Sequence, residues 1–161
     1  MIGRLALITV LVVAVSAGLV RRQAINAAKR AVAVKGTLLC GDKPADGVIV
    51  KLFRVPHGKK EDLNQMLDEK TSGISGMFHL EGNTNSFLLN ETTIDGVLSV
   101  YHGCDLEPKK VDKSGFRRVN IHIPDEYVNQ GAKAKKPFDV GTINLQLIYP
   151  GEKTIKFEKK N

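Results

Sequence analysis

Two cysteines and four histidines are the side chains of this 161-residue chain best suited to nucleophilic or metal chemistry. Cys40 and Cys104 are the only cysteines, so they are the only possible partners for an intramolecular disulfide. Neither has an evident base or oxyanion donors beside it in the sequence, which argues against a catalytic thiolate. In an oxidising compartment the pair predicts a disulfide, and the alternative is two free buried thiols.

The histidines are spread along the chain at His57, His79, His102 and His122. Their spacing matches neither a zinc site nor a catalytic triad. His79 and His122 fall at strand positions that should alternate outward, and His57 lies in a Pro-His-Gly turn. We therefore expect surface or structural histidines, with no bound metal and no cofactor.

Basic residues form two clusters in or beside predicted loops, where a sandwich commonly presents binding residues. One cluster comprises Lys109, Lys110, Lys113, Arg117 and Arg118, and the other comprises Lys133, Lys135 and Lys136. An anionic lipid surface attracts each nearby basic residue by roughly 1 kcal/mol. The candidate contacts for an anionic lipid, a glycan or a cell-surface receptor are Lys109, Lys110, Arg117 and Arg118. The alternative is ordinary solvated charge.

The overall composition is that of a globular domain. The chain is 42% hydrophobic and 25% charged, with a net charge of +7. These values exclude a disordered chain, a collagen and a disulfide-dense miniprotein. The length leaves room for one domain of about 100 to 150 residues and a short appendage. No recognition helix or aromatic-basic motif indicates nucleic acid as a partner.

The first residues have the pattern of a secretory signal peptide. Arg4 supplies a positive charge, residues 5–15 are almost wholly apolar, and Ala17 ends a short run of small or compact residues. The alternative is a membrane anchor, because the apolar run continues to Val20. We expect residues 1–17 to be removed, which predicts a secreted, extracellular product without a membrane span.

Secretion has two further consequences. Residues 18–31 would form a flexible N-terminal extension. The dibasic pair Lys29-Arg30 within it is a candidate site for proteolytic cleavage, and the sequence does not decide whether it is cleaved. Asn90 begins the only Asn-x-Ser/Thr sequon of the chain and is therefore a candidate for N-glycosylation.

Alternation of apolar residues predicts about seven short strands. The clearest stretches are Val32–Cys40, Val48–Leu52, Met77–Leu80, Val97–His102, Val119–Ile123 and Ile143–Leu147. Glu61–Glu69 instead has helical spacing, and Asp125–Val128 suits a single turn. Short strands separated by turn residues predict an all-β, two-sheet antiparallel sandwich over residues 32–152, followed by a basic tail at residues 153–161.

Several motifs in a fixed order carry a resemblance to a known family. They include Val34–Gly41 (VKGTLLCG), Ser99–Cys104 (SVYHGC), Ile123–Tyr127 (IPDEY) and Phe138–Leu145 (FDVGTINL). Together they resemble the nematode transthyretin-like family over about Val34 to Glu152. The resemblance implies a secreted protein with a transthyretin (prealbumin)-like fold of two antiparallel sheets packed face to face. For His102 it implies a ring held near a Cys104 bridge.

The same resemblance indicates a function. One branch of the family resembles an extracellular adaptor that recognises phosphatidylserine, so we expect a secreted, non-catalytic protein that binds an anionic lipid headgroup or another surface ligand. The alternatives are a hydroxyisourate-hydrolase-like enzyme and a carrier of a small hydrophobic ligand. The hydrolase ends in Tyr-Arg-Gly-Ser, whereas this chain ends in Glu-Lys-Lys-Asn, which argues against that enzyme. The tail also lacks a cysteine common in the family, so a family pairing does not transfer directly to Cys40 and Cys104.

Overall fold

Two five-stranded sheets form the protein in the computed structural model, which describes residues 29–55, 63–88, 93–106 and 115–156. The strands are β1 Arg30–Cys40, β2 Lys43–Pro44, β3 Ile49–Val55, β4 Gln65–Thr71, β5 Met77–Asn83, β6 Asp95–His102, β7 Phe116–Ile123, β8 Asn129–Gln130, β9 Phe138–Asn144 and β10 Lys153–Ile155. A 3-10 helix spans Asp125–Tyr127, where a single turn was predicted. No helix among the described residues is long and apolar enough to cross a membrane.

The first sheet is built around β1, which pairs with β2, β5, β8 and β9. The second sheet has the order β10-β7-β6-β3-β4. All pairings are antiparallel except that between β1 and β9, which is parallel. The predicted two-sheet sandwich is therefore confirmed, with one parallel pairing that local alternation does not reveal.

The core lies between the inner faces of the two sheets. Alternation along the strands brings small and branched apolar side chains together there: Val32, Val34, Leu38, Val50, Leu52, Leu98 and Val100. Each of these side chains has no solvent exposure. Full burial of one such side chain is worth about 1.5 to 3 kcal/mol, so this layer is the main source of stability.

The hairpin corner predicted before β5 is formed by a glycine that no other residue can replace without strain. Gly76 has a φ of 74°, in the left-handed region. A Cβ atom at this position would also collide with the carbonyl oxygen of Leu38. Leu38 in turn donates its backbone N–H to the Gly76 carbonyl at 2.9 Å, which fixes β1 against the corner.

The helix predicted from the spacing over Glu61–Glu69 is wrong for the described part of that segment. Gln65–Thr71 forms β4, an edge strand that pairs with β3 from Ile49 to Arg54. Leu67 packs against the core from this strand. Three apolar residues at helical spacing are a weak local signal, and the long-range pairing with β3 overrides it.

Three predicted boundaries also change. β1 begins at Arg30, so the end of the expected flexible extension belongs to the first sheet. Lys153–Ile155, expected in the basic tail, forms β10 and pairs with β7. β9 ends at Asn144, and Leu147 is 57% exposed rather than aligned with Ile143 on an inward face. The Asn144 carboxamide turns the chain there, because its oxygen accepts hydrogen bonds from the backbone N–H groups of Gly41 and Gln146.

Candidate functional site

Chemically distinctive side chains gather at the two ends of the sandwich. At one end lie the C-terminal ends of β1 and β6 and the start of β7, with Cys40 and Cys104; we call it the disulfide end. At the other end lie the start of β1, the end of β3 and the segment after β5; we call it the Lys29 end. Each end contains buried polar groups that could serve a ligand or the fold.

The disulfide predicted from the two cysteines is confirmed. Cys40 at the end of β1 and Cys104 just after β6 are bonded, with their Cα atoms 5.7 Å apart. The bond joins the two sheets across 64 residues of sequence and excludes the alternative of two free thiols. Asp105 lies beside both sulfur atoms, but because these are bonded to each other no thiolate is available to ligate a metal.

His102 is buried inside the disulfide end. It pairs with Arg117 in the sheet and follows Val100 at the two-residue spacing that places both on the inner face. Its side chain is 1% exposed, and neither ring nitrogen has a hydrogen-bond partner among the described residues. Burial and the nearby Arg117 charge lower the pKa of His102 to about 4, against the opposing influence of Glu152 and Asp105. The imidazole is therefore neutral at physiological pH.

Arg117, a predicted anionic-ligand contact, is instead occupied within the protein. Its Nε and Nη2 donate to the two carboxylate oxygens of Glu152, and Nη1 and Nη2 donate to the carbonyls of Leu145 and Leu147 at 3.2 and 2.8 Å. The Arg117 side chain is only 14% exposed. Hydrogen bonds from Arg117 lower the pKa of the Glu152 carboxyl group, so this pair is charged at neutral pH. The sequence pattern could not show this role, because Glu152 lies 35 residues away.

Arg118 has a different environment, because adjacent residues of a strand point to opposite faces. It lies on the outer face of the second sheet, directly opposite Tyr101 on β6 and Lys153 on β10. Lys153 is exposed and Arg118 is partly exposed. We call the surface formed by Arg118 and Lys153 the basic edge. Lys156, which is also exposed, follows β10 in the chain. The other predicted contacts, Lys109 and Lys110, and the sequon residue Asn90 lie outside the described residues, as do residues 1–17.

The Lys29 end contains two buried cations that inspection of the sequence missed. Lys29, assigned to the flexible extension, is 8% exposed, and its ammonium group donates to the carbonyls of Thr84, Asn85 and Phe87 at 2.9, 3.1 and 3.0 Å. Arg54 is 4% exposed, and its Nε donates to the Thr93 carbonyl at 2.6 Å. Among the described residues neither cation forms a salt bridge.

Arg54 could have been noticed in the sequence, because it continues the inward series that begins with Val50 and Leu52. A charged residue at such a position is a signal of a buried, hydrogen-bonded cation. Its guanidinium lies 4.8 Å from the centre of the Phe87 ring, a cation–π distance. Lys29 carries no comparable signal, since its burial depends on the segment after β5.

The second basic cluster lies between β8 and β9. Lys133 and Lys135 are exposed, and the Lys136 ammonium lies 4.9 Å from the centre of the Tyr127 ring. His79 and His122 are exposed, as predicted, on different sheets. His57 lies outside the described residues. The three described histidines therefore do not converge on one site.

Much of this chain is similar in sequence to known proteins. A model described as "TTR-52: Transthyretin-like family" matches residues 35–124. Transthyretin-like protein 46 of Caenorhabditis elegans is 40% identical over 123 residues, which cover 76% of this chain and 64% of that protein. Transthyretin-like protein 33 of the same organism is 40% identical over 121 residues, covering 74% of this chain and 76% of that protein. The chain thus spans less than two thirds of the length of protein 46.

Among solved structures, part of a 9R-lipoxygenase from Cyanothece matches with a TM-score of 0.39 and 17% identity, covering 72% of this chain and 16% of that chain. This likeness is too low to support an inference. The sequence matches are much stronger than this structural match. The family model covers more than half of the chain, and the two relatives are 40% identical to it across about three quarters of its length. The chain therefore belongs to the transthyretin-like family.

Proposed function

We propose that this protein is a secreted, non-catalytic member of the transthyretin-like family that binds an anionic lipid headgroup displayed on a surface. The observation that carries the proposal is the opposition of Arg118 and Lys153 on neighbouring strands of the basic edge. Directly opposite residues of paired strands lie on the same face of the sheet. An anionic surface in contact with that face would therefore be attracted by both cations.

Protection of the sheet edge explains only part of this arrangement. An edge strand such as β10 often carries a lysine, because an exposed charge there prevents pairing with another chain. That reason applies to Lys153, but not to Arg118 on the neighbouring interior strand β7. Edge protection therefore does not account for Arg118, which the proposal assigns to contact with the ligand.

The described residues on either side of positions 107–114 lie near the same surface. The described chain stops at Leu106 and resumes at Gly115. Gly115 lies against the carbonyl of Ile155 in β10, next to Lys156. Lys109 and Lys110 lie outside the described residues, and the proposal includes them as further contacts on the sequence pattern alone.

Two features support a role in binding rather than catalysis. The described histidines lie on separate surfaces or in the interior, and neither ring nitrogen of His102 has a hydrogen-bond partner among the described residues. The two cysteines are joined in the disulfide. Turnover of 5-hydroxyisourate well above its spontaneous rate would contradict this part of the proposal.

Secretion is supported by the signal-peptide pattern of residues 1–17 and by a disulfide of the kind that persists in oxidising compartments. N-terminal sequencing of the secreted protein should find a start near Gly18. A mass shift on treatment with a glycosidase should show that Asn90 carries a glycan. Retention of the protein in the cell with residues 1–17 intact would contradict secretion.

Vesicle binding tests the ligand. The full secreted protein should bind phosphatidylcholine vesicles that contain phosphatidylserine, should bind pure phosphatidylcholine vesicles far more weakly, and should lose affinity at high salt, because screening acts over about 8 Å at physiological ionic strength. Replacing Arg118 and Lys153 by glutamine should weaken binding about 30-fold, since each basic residue near the surface contributes roughly 1 kcal/mol.

The matched control replaces Lys133 and Lys135 by glutamine, which removes the same charge from the second basic cluster. Binding by this control should stay close to that of the unaltered protein. An equal loss in both double variants would contradict the basic edge as the site. Equal binding to neutral and anionic vesicles would contradict the anionic ligand.

A further inference from the structure

A cavity of about 390 Å³ opens beside the disulfide. It lies between β2 with the segment that leads to β3 on one side, and the end of β6 on the other. Its lining is mainly apolar and includes Ala45, Val48, Tyr101, Phe116 and Leu145, together with His102 and the disulfide. This volume is near the lower end of the range for small-molecule sites, so it suits a ligand smaller than a typical drug.

The polar group in the cavity wall that requires an explanation is His102. Both of its ring nitrogens are buried and have no hydrogen-bond partner within the described part of the chain. A buried polar atom without a partner usually costs about 1 to 3 kcal/mol, and native proteins leave few such atoms. Two on one ring indicate that another molecule completes the hydrogen bonding. Because both nitrogens are buried, a molecule in the adjoining cavity reaches one of them only when the ring rotates toward it.

The charges around His102 restrict what this molecule can be. The Arg117 guanidinium is already bound to Glu152 and to two backbone carbonyls, so it is not free to hold an anion. At the rim, exposed Lys43 and Asp46 carry opposite charges. A charged ligand would therefore lose its hydration against apolar side chains without a dedicated counter-ion.

A neutral imidazole offers one N–H donor and one nitrogen acceptor. The low pKa of about 4 agrees with this state at physiological pH. A hydroxyl group can both donate to the acceptor and accept from a donor, whereas a purely apolar molecule can do neither. A bound metal is a poorer match, because the two sulfurs nearest the site are joined in the disulfide.

We propose that the cavity beside the Cys40–Cys104 disulfide binds a small, neutral, largely apolar molecule that carries a hydroxyl group, which hydrogen-bonds to His102. This site is distinct from the basic edge and does not depend on anionic lipid binding. Its ligands belong to the chemical class of phenols and alcohols.

The test compares phenol with toluene, which has the same number of heavy atoms but no hydroxyl group. Each is titrated into the full secreted protein while NMR records the ring-nitrogen shifts of all four histidines. Phenol should shift the His102 nitrogens in a saturable way and bind about tenfold more tightly than toluene, the factor expected for one net hydrogen bond. Saturable binding of phenol should leave the His79 and His122 nitrogens unchanged.

A variant provides a second measurement. His102→Phe keeps an aromatic ring but removes the hydrogen bond, so this variant should lose the preference for phenol over toluene. The matched control is His79→Phe, on the exposed face of β5, which should retain that preference. Absence of phenol binding, equal affinity for toluene, or tighter binding of benzoate than of phenol would each overturn the proposal. Should His102→Phe fail to fold, the phenol and toluene titrations of the unaltered protein still decide the matter.

Discussion

The two ends of the sandwich are stabilised by different chemistry. At the disulfide end a covalent bond joins β1 to the segment after β6, and the Arg117–Glu152 ion pair ties β7 to the chain before β10. At the Lys29 end an ammonium group and a guanidinium group donate to backbone carbonyls. The disulfide end depends on a covalent bond and an ion pair. The Lys29 end depends on hydrogen bonds from cationic side chains to backbone carbonyls.

This difference determines when each end stabilises the protein. A disulfide acts largely by restricting the unfolded chain, so its effect persists even where the folded contacts are loose. The hydrogen bonds of Lys29 exist only when Thr84, Asn85 and Phe87 present their carbonyls together. We therefore expect the Lys29 end to open before the disulfide end, which hydrogen exchange at the segment after β5 would show.

The largest effect should follow removal of the disulfide. Replacing Cys40 and Cys104 by alanine should lower the free energy of unfolding by about 4 kcal/mol, because the bond closes a loop with a sequence separation of 64 residues. Urea unfolding of the variant and of the unaltered protein measures the difference. A loss smaller than that caused by substitution of Lys29 would reverse the ranking of the two ends.

A pH dependence specific to the disulfide end should be next in size. The folded pKa of His102 is about 4, below its ordinary value of 6.5, so the unfolded chain binds a proton first. Above pH 6.5 the imidazole is neutral in both states, so the free energy of unfolding is not reduced by this group. As the pH decreases from 6.5 to 4, protonation of the unfolded chain should lower that free energy by up to about 3 kcal/mol. Arg117, Glu152 and Asp105 face the ring, and Glu152 also titrates in acid.

The His102→Phe variant separates these contributions, because it retains Glu152 but cannot gain the imidazole proton. Urea unfolding should show a shallower decline of its stability between pH 6.5 and 4 than that of the unaltered protein. Identical slopes would mean that His102 does not titrate differently in the two states.

At the Lys29 end, Lys29→Met should cost about 2 kcal/mol. The substitution keeps most of the aliphatic stem but leaves the carbonyls of Thr84, Asn85 and Phe87 without their charged donor. Lys35→Met is the matched control: Lys35 is 48% exposed and pairs with a similarly exposed Asp139. Its unfolding free energy should be unchanged within error, and an equal loss in both variants would argue against the buried ammonium as the cause.

Glu152→Gln should have the smallest effect, about 1 kcal/mol, because the glutamine oxygen can still accept a hydrogen bond from Arg117, and Arg117 keeps its hydrogen bonds to the carbonyls of Leu145 and Leu147. The Glu152 pKa is lowered in the fold, so the contribution of its charge is present above the ordinary value of 4.5 and is lost as the pH falls below it. Unfolding at pH 7 should therefore distinguish the variant, and unfolding in strong acid should not.

The sequence by itself determined the features that depend on local pattern or on composition. Alternation of apolar residues identified most of the strands and the two-sheet fold, the turn at Asp125–Tyr127 was found, and two cysteines allowed only one pairing. These inferences succeed because a strand buries every second residue whatever its partner is. They fail at β4, where pairing with β3 outweighs a weak helical spacing.

Only the tertiary structure decided which groups each charged side chain meets. Arg117 and Arg118 are adjacent in sequence, yet one binds Glu152 at the sandwich end and the other lies opposite Lys153 on an outer face. Lys29 is buried because a segment 55 residues away supplies its acceptor. The burial of Lys29, the pairing of Arg117 and the low pKa of His102 all depend on residues distant in the chain. A local sequence pattern does not indicate which distant residues the fold brings together.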